Sequence, residues 1–240
     1  MKENLEIKQK QFNDAMRLYE DRKIYQVFSK CISVINVCVQ LILAFIVLPI
    51  KIGIVWQIFS MVLSYLIADF INGLVHMYMD NNDNYKSIAG PLIASFHLHH
   101  KTPLYKKNKI ILVYFNESGS KIWLAAFLMI AIIVVRIVDI NPVISHVILY
   151  FSVFSCIAEV SHYLCHVADN SFVKILRASG LLLGKRHHGK HHLEDNINYA
   201  FLNGVSDPLV NIIAKRFYSG YKSTTDKHYE YYKGKGTKNR

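Results

Sequence analysis

Cysteine is scarce, and nothing in its placement suits cross-linking. The four cysteines, Cys31, Cys38, Cys156 and Cys165, lie in or beside apolar runs, and no two form a CxxC pair. This pattern excludes a disulfide framework and a cysteine-held iron–sulfur cluster. Acidic residues are also few: 17 Asp and Glu stand against 28 Lys and Arg, a formal net charge of +11. An excess of that sign points to nucleic acid or to an anionic membrane surface. There is no Gly-rich phosphate cradle, so a nucleotide handle of the coenzyme A kind is not expected. No flavin, haem or ferredoxin motif is present either, so any electrons must come from a separate donor. The N-terminus carries charged residues rather than a cleavable signal pattern, and nothing is expected to be removed.

Apolar residues, by contrast, make up 52% of the 240-residue chain and fall into four runs. Ile32–Ile50 carries no charge, Ile54–Val75 only Asp69, and Ile122–Val138 only Arg136. Val143–Leu164 is interrupted by His146, Glu159 and His162. Each run is close to the roughly 20 residues needed to cross a hydrocarbon core about 30 Å thick. Short links, Lys51–Gly53 and Asp139–Pro142, join them in pairs. The reading is an all-α integral membrane protein with four transmembrane helices in two hairpins.

Charge placement decides between the two partner classes. Lys and Arg number 7 in residues 1–31, 6 in 76–121 and 13 in 165–240, which is 26 of the 28. Two hairpins put all three segments on one side, and the positive-inside tendency makes that side the cytosol. The charge therefore belongs to a membrane face, and nucleic acid is not the expected partner. Residues 1–31 read as an amphipathic cytosolic arm on that face and 32–210 as the membrane domain. Residues 211–240 read as a basic, aromatic tail suited to headgroups, with Tyr218, Tyr221, Tyr229, Tyr231 and Tyr232.

Histidine is the unusual abundance, at 12 residues. The second and fourth runs both travel toward the cytosol and end in His76-x3-Asp80 and His162-x3-His166. An i,i+4 pair shares one helical face, so each can point two ligands at one place. The loop segments add His97, His99 and His100, then His187, His188, His191 and His192. His146 lies 16 residues before His162, about 24 Å away on the same helix, and cannot join them. His228 has no partner pattern, and its loss is expected to leave activity largely intact. So many nitrogen ligands plus a carboxylate exceed one four-coordinate zinc site by about a factor of two. A dinuclear cap on the cytosolic side follows. Imidazole with carboxylate suits iron, with copper or two zincs as the other readings.

The residues then resemble a known family. Ala68-Asp69-Phe70, Gly73, His76-x3-Asp80 and Phe96-x2-His99-His100-x2-Pro103 are similar to the Kua/CarF-type lipid desaturases. So are His162-x3-His166, His187-His188-x2-His191-His192, Asn198-Tyr199 and Asn203-Gly204. That family includes plasmanylethanolamine desaturase and a plant phosphatidylglycerol desaturase. The resemblance implies iron ligation by His76, Asp80, His99, His100, His162, His166, His188, His191 and His192. His187 completes a double histidine of the plasmanylethanolamine type and is expected among the metal ligands as well. Asp69, His97, Asn116 and Glu159 are expected behind the ligands, orienting them. Where the family usually shows Trp and Asn the chain has Val205-Ser206-Asp207, and Met77 replaces an aromatic; both are expected at the substrate channel.

The implied activity is O2-dependent desaturation of a membrane phospholipid chain by two iron ions. Electrons would come from a separate donor of ferredoxin or cytochrome b5 type. The resemblance favours a vinyl ether made from an alkyl-ether lipid, with an acyl phospholipid as alternative. A di-iron lipid hydroxylase is the competing enzyme. A non-catalytic metal-binding or transport protein is the competitor from another class, and it would need polar residues along the spans, which hold few.

Overall fold

Along the long helices of this chain polar side chains lie in the buried stripe, and many large apolar ones point outward. The computed structural model describes residues 2–101 and 108–233, all of them helix, turn or coil without a strand. Pro103 of the second motif and residues 234–240 of the tail lie outside the described residues. Helix α2, Lys23–Val47, buries Ile32, Ser33, Asn36, Val39, Gln40, Leu43 and Val47. These fall three or four residues apart and form one stripe. Its Phe45 points the other way and is 81% exposed. Helix α3, Gly53–Asn81, buries Ser60, Ser64, Ala68, Asp69, Asn72, Gly73, His76 and Asp80, while Ile54, Val55 and Ile58 face out. An exposed apolar band around a small or polar stripe is the arrangement of helices surrounded by lipid.

The principal packing is between α3 and α7, Pro142–His166. Ser64 Oγ donates to the Val147 carbonyl at 2.8 Å, and Tyr150 Oη to Gln57 Oε1 at 2.5 Å. Small residues let the two backbones approach, and hydrogen bonds between helices replace those that lipid cannot offer. Helix α7 starts sharply because Pro142 opens it and Asn141 Oδ1 caps the Val143 N–H. Gly53, at φ +75°, supplies the left-handed residue at the α2–α3 reversal.

Among the described residues three helices, α2, α3 and α7, are long and apolar enough to cross a membrane. The expected fourth span is different. Helix α5, Ile110–Glu117, and a 3-10 turn, Ser118–Ser120, precede α6, Ile122–Ile137, at an 87° bend. The 16 residues of α6 reach about 24 Å, short of a full hydrocarbon core. Asn36 Nδ2 fastens the bend to α2 by donating to the Ser118 and Lys121 carbonyls.

The two ends of the chain depart from the surface arm and tail described above. Helix α1, Lys2–Asp21, stops at Arg22, just before α2 begins. Its Phe12, Ala15 and Met16 are buried against Tyr85, Ile93, Ala94 and Tyr229. Helix α4, Gly90–Lys101, and the short α11, Thr225–His228, complete this layer. Tyr221 and Tyr229, expected among headgroups, are buried in protein. Their aromatic faces pack edge-on against neighbouring rings, as Phe12 does on Tyr85 at 5.4 Å between centroids. Helices α8, Ser171–Ala178, α9, Lys185–His191, and α10, Asp207–Phe217, finish the cap at the end where α3 and α7 terminate.

Candidate metal centre

Four elements converge at that end. The last turn of α3 brings His76 and Asp80, the end of α4 brings His99 and His100, and the last turn of α7 brings His162 and His166. Helix α9 and its C-terminal residue bring His188, His191 and His192. These side chains sort into two groups able to hold a metal ion, with donor atoms within 4.8 Å of one another in each.

His76, Asp80, His100 and His191 form the first group. Three Nε2 atoms face the Asp80 carboxylate, at 3.5 Å from His76, 3.3 Å from His100 and 3.4 Å from His191. Both Asp80 oxygens and the Nε2 atoms of His100 and His191 are buried without a hydrogen-bond partner. A buried carboxylate left so is costly unless it is paired or coordinates a metal, and the donor set here fits a cation at its centre. The opposite ring nitrogens are all engaged. His76 Nδ1 donates to the Tyr199 carbonyl at 2.8 Å, His191 Nδ1 to the Ile197 carbonyl at 3.0 Å, and His100 Nδ1 to Asp226 Oδ1 at 3.1 Å. A proton fixed on Nδ1 leaves the Nε2 lone pair for a metal.

His99, His162, His166, His188 and His192 form the second group. It has no carboxylate, and its Nε2 atoms crowd together: His99 to His166 at 3.2 Å, His166 to His188 at 2.9 Å, His188 to His192 at 3.0 Å. Burial and neighbouring imidazoles hold His99 and His188 well below the usual imidazole range and push His192 down to about 2. These rings stay neutral, the form in which imidazole binds a metal. His100 is the exception: against its burial, the Asp80 and Asp226 carboxylates push it up to about 9. The two groups adjoin, with the His100 and His192 rings 5.1 Å apart and those of His76 and His162 6.0 Å apart.

Two loop asparagines set the geometry behind the first group. Asn196 and Asn198 stand at φ +56° and +58°, the left-handed region that asparagine tolerates. The kinked loop between them turns the Ile197 and Tyr199 carbonyls toward His191 and His76. Asn198 Nδ2 also ties the loop to α9 through the His187 carbonyl.

Several expected roles change. His187 lies outside both groups; its Nε2 is 2.5 Å from Asp207 Oδ2, because its position on α9 points it toward α10 rather than inward. Asp69 touches no ligand. Its Oδ1 accepts the N–H groups of Leu202, Asn203 and Gly204, and its Oδ2 accepts the N–H and hydroxyl of Ser206. It holds a loop. Ser206 and Asp207, expected at a substrate channel, belong to the same support, for Asp207 Oδ1 accepts the Ala200 N–H. Met77 packs in the core with Tyr199 and Val210. Asn116 is exposed at the rim of the cavity described below. Glu159 stands 3.9 Å from His162 Nδ1 and pairs with Lys121 at 2.9 Å.

His97 sits behind α3, with Nε2 donating to the Met79 carbonyl at 2.7 Å. Tyr85 Oη joins its Nδ1, at 2.8 Å, to His228 Nδ1, at 3.0 Å. His228 is therefore a buried partner and not an idle tail residue. His228→Ala should cost about 1–3 kcal/mol by leaving this chain of buried polar atoms incomplete. A melting curve in detergent that matches the unaltered protein would show the bond to be idle.

Beside the first group lies a cavity of about 600 Å³. His76, Phe96 and Phe201 border it on the metal side, Trp123 lines another wall, and Glu117, Lys121 and Glu159 form a polar wall. Phe201 separates that wall from the metal groups: Lys121 Nζ is 5.1 Å from its ring centre, which lies 5.3 Å from His76 and 5.4 Å from His162. A family profile described as a lipid desaturase domain matches residues 65–221. No curated protein and no solved structure matches the chain.

Proposed function

This chain belongs to the lipid desaturase domain family, and from that membership we propose that it desaturates a phospholipid chain with two iron ions. The observation that carries the reading is the convergence of eight histidines and Asp80 into two adjoining groups beside an apolar cavity. His76, Asp80, His100 and His191 hold one iron; His99, His162, His166, His188 and His192 hold the other. Mixed imidazole and carboxylate donors suit iron. Bound iron, with O2 and two external electrons, supplies the oxidising power that no side chain has.

The residues of the chain do the rest. The Tyr199 and Ile197 carbonyls and Asp226 hold the Nδ1 protons and aim the ligand nitrogens. Phe96, Trp123 and Phe201 keep water from the cavity and shape a slot for a lipid chain. The polar wall of Glu117, Lys121 and Glu159 stands one aromatic ring from both groups, which suits oxidation of carbons close to the lipid's polar end. On that ground, and by the family resemblance, the substrate is an alkyl-ether ethanolamine phospholipid and the product a vinyl ether. The site faces the cytosol, the side that the basic segments favour, and a separate donor of ferredoxin or cytochrome b5 type delivers the electrons.

Expression in a host fed alkylglycerol tests this. Acid-labile vinyl-ether lipids should appear in cells carrying the chain and in no others. New acyl double bonds without vinyl ethers would refute the ether substrate but leave desaturation standing. A product that retains oxygen would replace desaturase by hydroxylase.

A further inference from the structure

The family match ends at residue 221, but the chain does not leave the metal centre there. Tyr221 Oη donates to the His191 carbonyl. Thr225 Oγ1 donates to the Asp80 carbonyl at 2.6 Å, and both residues are buried. Asp226 Oδ1 faces His100 Nδ1 at 3.1 Å, with the carboxylate only 8% exposed. Residues 221–226 thus touch three of the four members of the buried group. The segment is held down by α1 and by the end of α4. Gln9 Nε2 donates to the Lys227 carbonyl at 3.0 Å, Lys101 Nζ to the Tyr229 carbonyl at 3.0 Å, and Phe12 packs edge-on against Tyr229.

Asp226 differs from the other outer partners of this group. His76 and His191 donate to neutral backbone carbonyls, whereas His100 donates to a carboxylate. The second Asp226 oxygen is engaged by Lys222 Nζ at 2.5 Å, which fixes its orientation. A carboxylate behind a ligating imidazole selects the tautomer, locks the ring and raises its basicity. We infer that Asp226 is a positioning residue for the buried metal, and that the 221–229 strap completes this group after the family domain has ended. The inference rests on the two-metal reading given above.

The test uses the full chain purified in detergent, with iron counted per chain and competed away by a chelator. The unaltered protein should hold two irons. Asp226→Leu should lose one of them at a chelator concentration about 10–100-fold lower, the usual effect of removing such an outer partner. The second iron and the apo-protein melting temperature should stay unchanged. Asp226→Asn keeps an acceptor oxygen without the charge and should fall between the two; it also carries the test if the leucine variant fails to fold. Two irons held at normal affinity in both variants would overturn the inference while leaving the metal centre intact. Loss of both irons together with a lowered melting temperature would also overturn it, since that marks a fold defect. An unaltered protein holding fewer than two irons would overturn the two-metal reading itself, and this inference with it.

Discussion

Asp80→Ala should lower desaturase activity by more than about 100-fold, beyond what losing an outer partner of a ligand costs. It should also leave about one iron per chain. Asp80 is fully buried, both its oxygens lack a hydrogen bond, and three imidazole Nε2 atoms stand 3.3 to 3.5 Å away. Its removal takes the only carboxylate from the buried group and leaves the group of five histidines whole. The metal-free protein should also lose stability. Asp80 stands 3.3 Å from His100, which, against its burial, the Asp80 and Asp226 carboxylates push toward its charged form, and removing one partner of a buried pair destabilises the fold. Near-normal activity, or two irons still held by the variant, would remove Asp80 from the ligand set.

Asp69→Ala should fail by unfolding. Asp69 accepts four backbone N–H groups and one hydroxyl from residues 202–206, at 2.6 to 3.2 Å. Each buried donor left unsatisfied costs about 1–3 kcal/mol. Several together approach the whole stability of a typical domain, about 5–15 kcal/mol. The loop they hold runs on from Tyr199, whose carbonyl sets His76, so iron and fold should be lost together. Fluorescence-detected size exclusion should show little monodisperse Asp69→Ala protein. A well-folded variant with two irons would refute the loop-anchoring role.

The pairs His76/Asp80 and His162/His166 were legible because four residues make about one helical turn, and a shared face survives folding. How the motifs combine was not. His99 and His100 enter different groups, as do His191 and His192, since neighbours on a helix diverge by about 100°. Only the crossing of four elements decides which group receives which. His187 looked like its neighbour His188 in sequence, and its direction depends on α10. The bend before α6 falls in the polar stretch 116–121, which a reading that starts the apolar run at Ile122 leaves out. Asp226 and His228 lay in a segment whose composition resembles a headgroup-binding tail. Their roles arise from packing against α1 and α4, which composition does not encode. The long apolar helices and the gathering of histidines came from run length and helical spacing, which are what periodicity reports well.

The strap also imposes an order on biosynthesis. Both groups have all their donor side chains once residue 192 has been made, but Asp226, the outer partner of His100, comes 34 residues later. At translation rates of about 5–20 residues per second the interval is roughly 2–7 s. During that time His100 has no carboxylate behind it and the Asp80 carbonyl has no Thr225 hydroxyl on it, so the buried group is the later of the two to gain its full set of contacts.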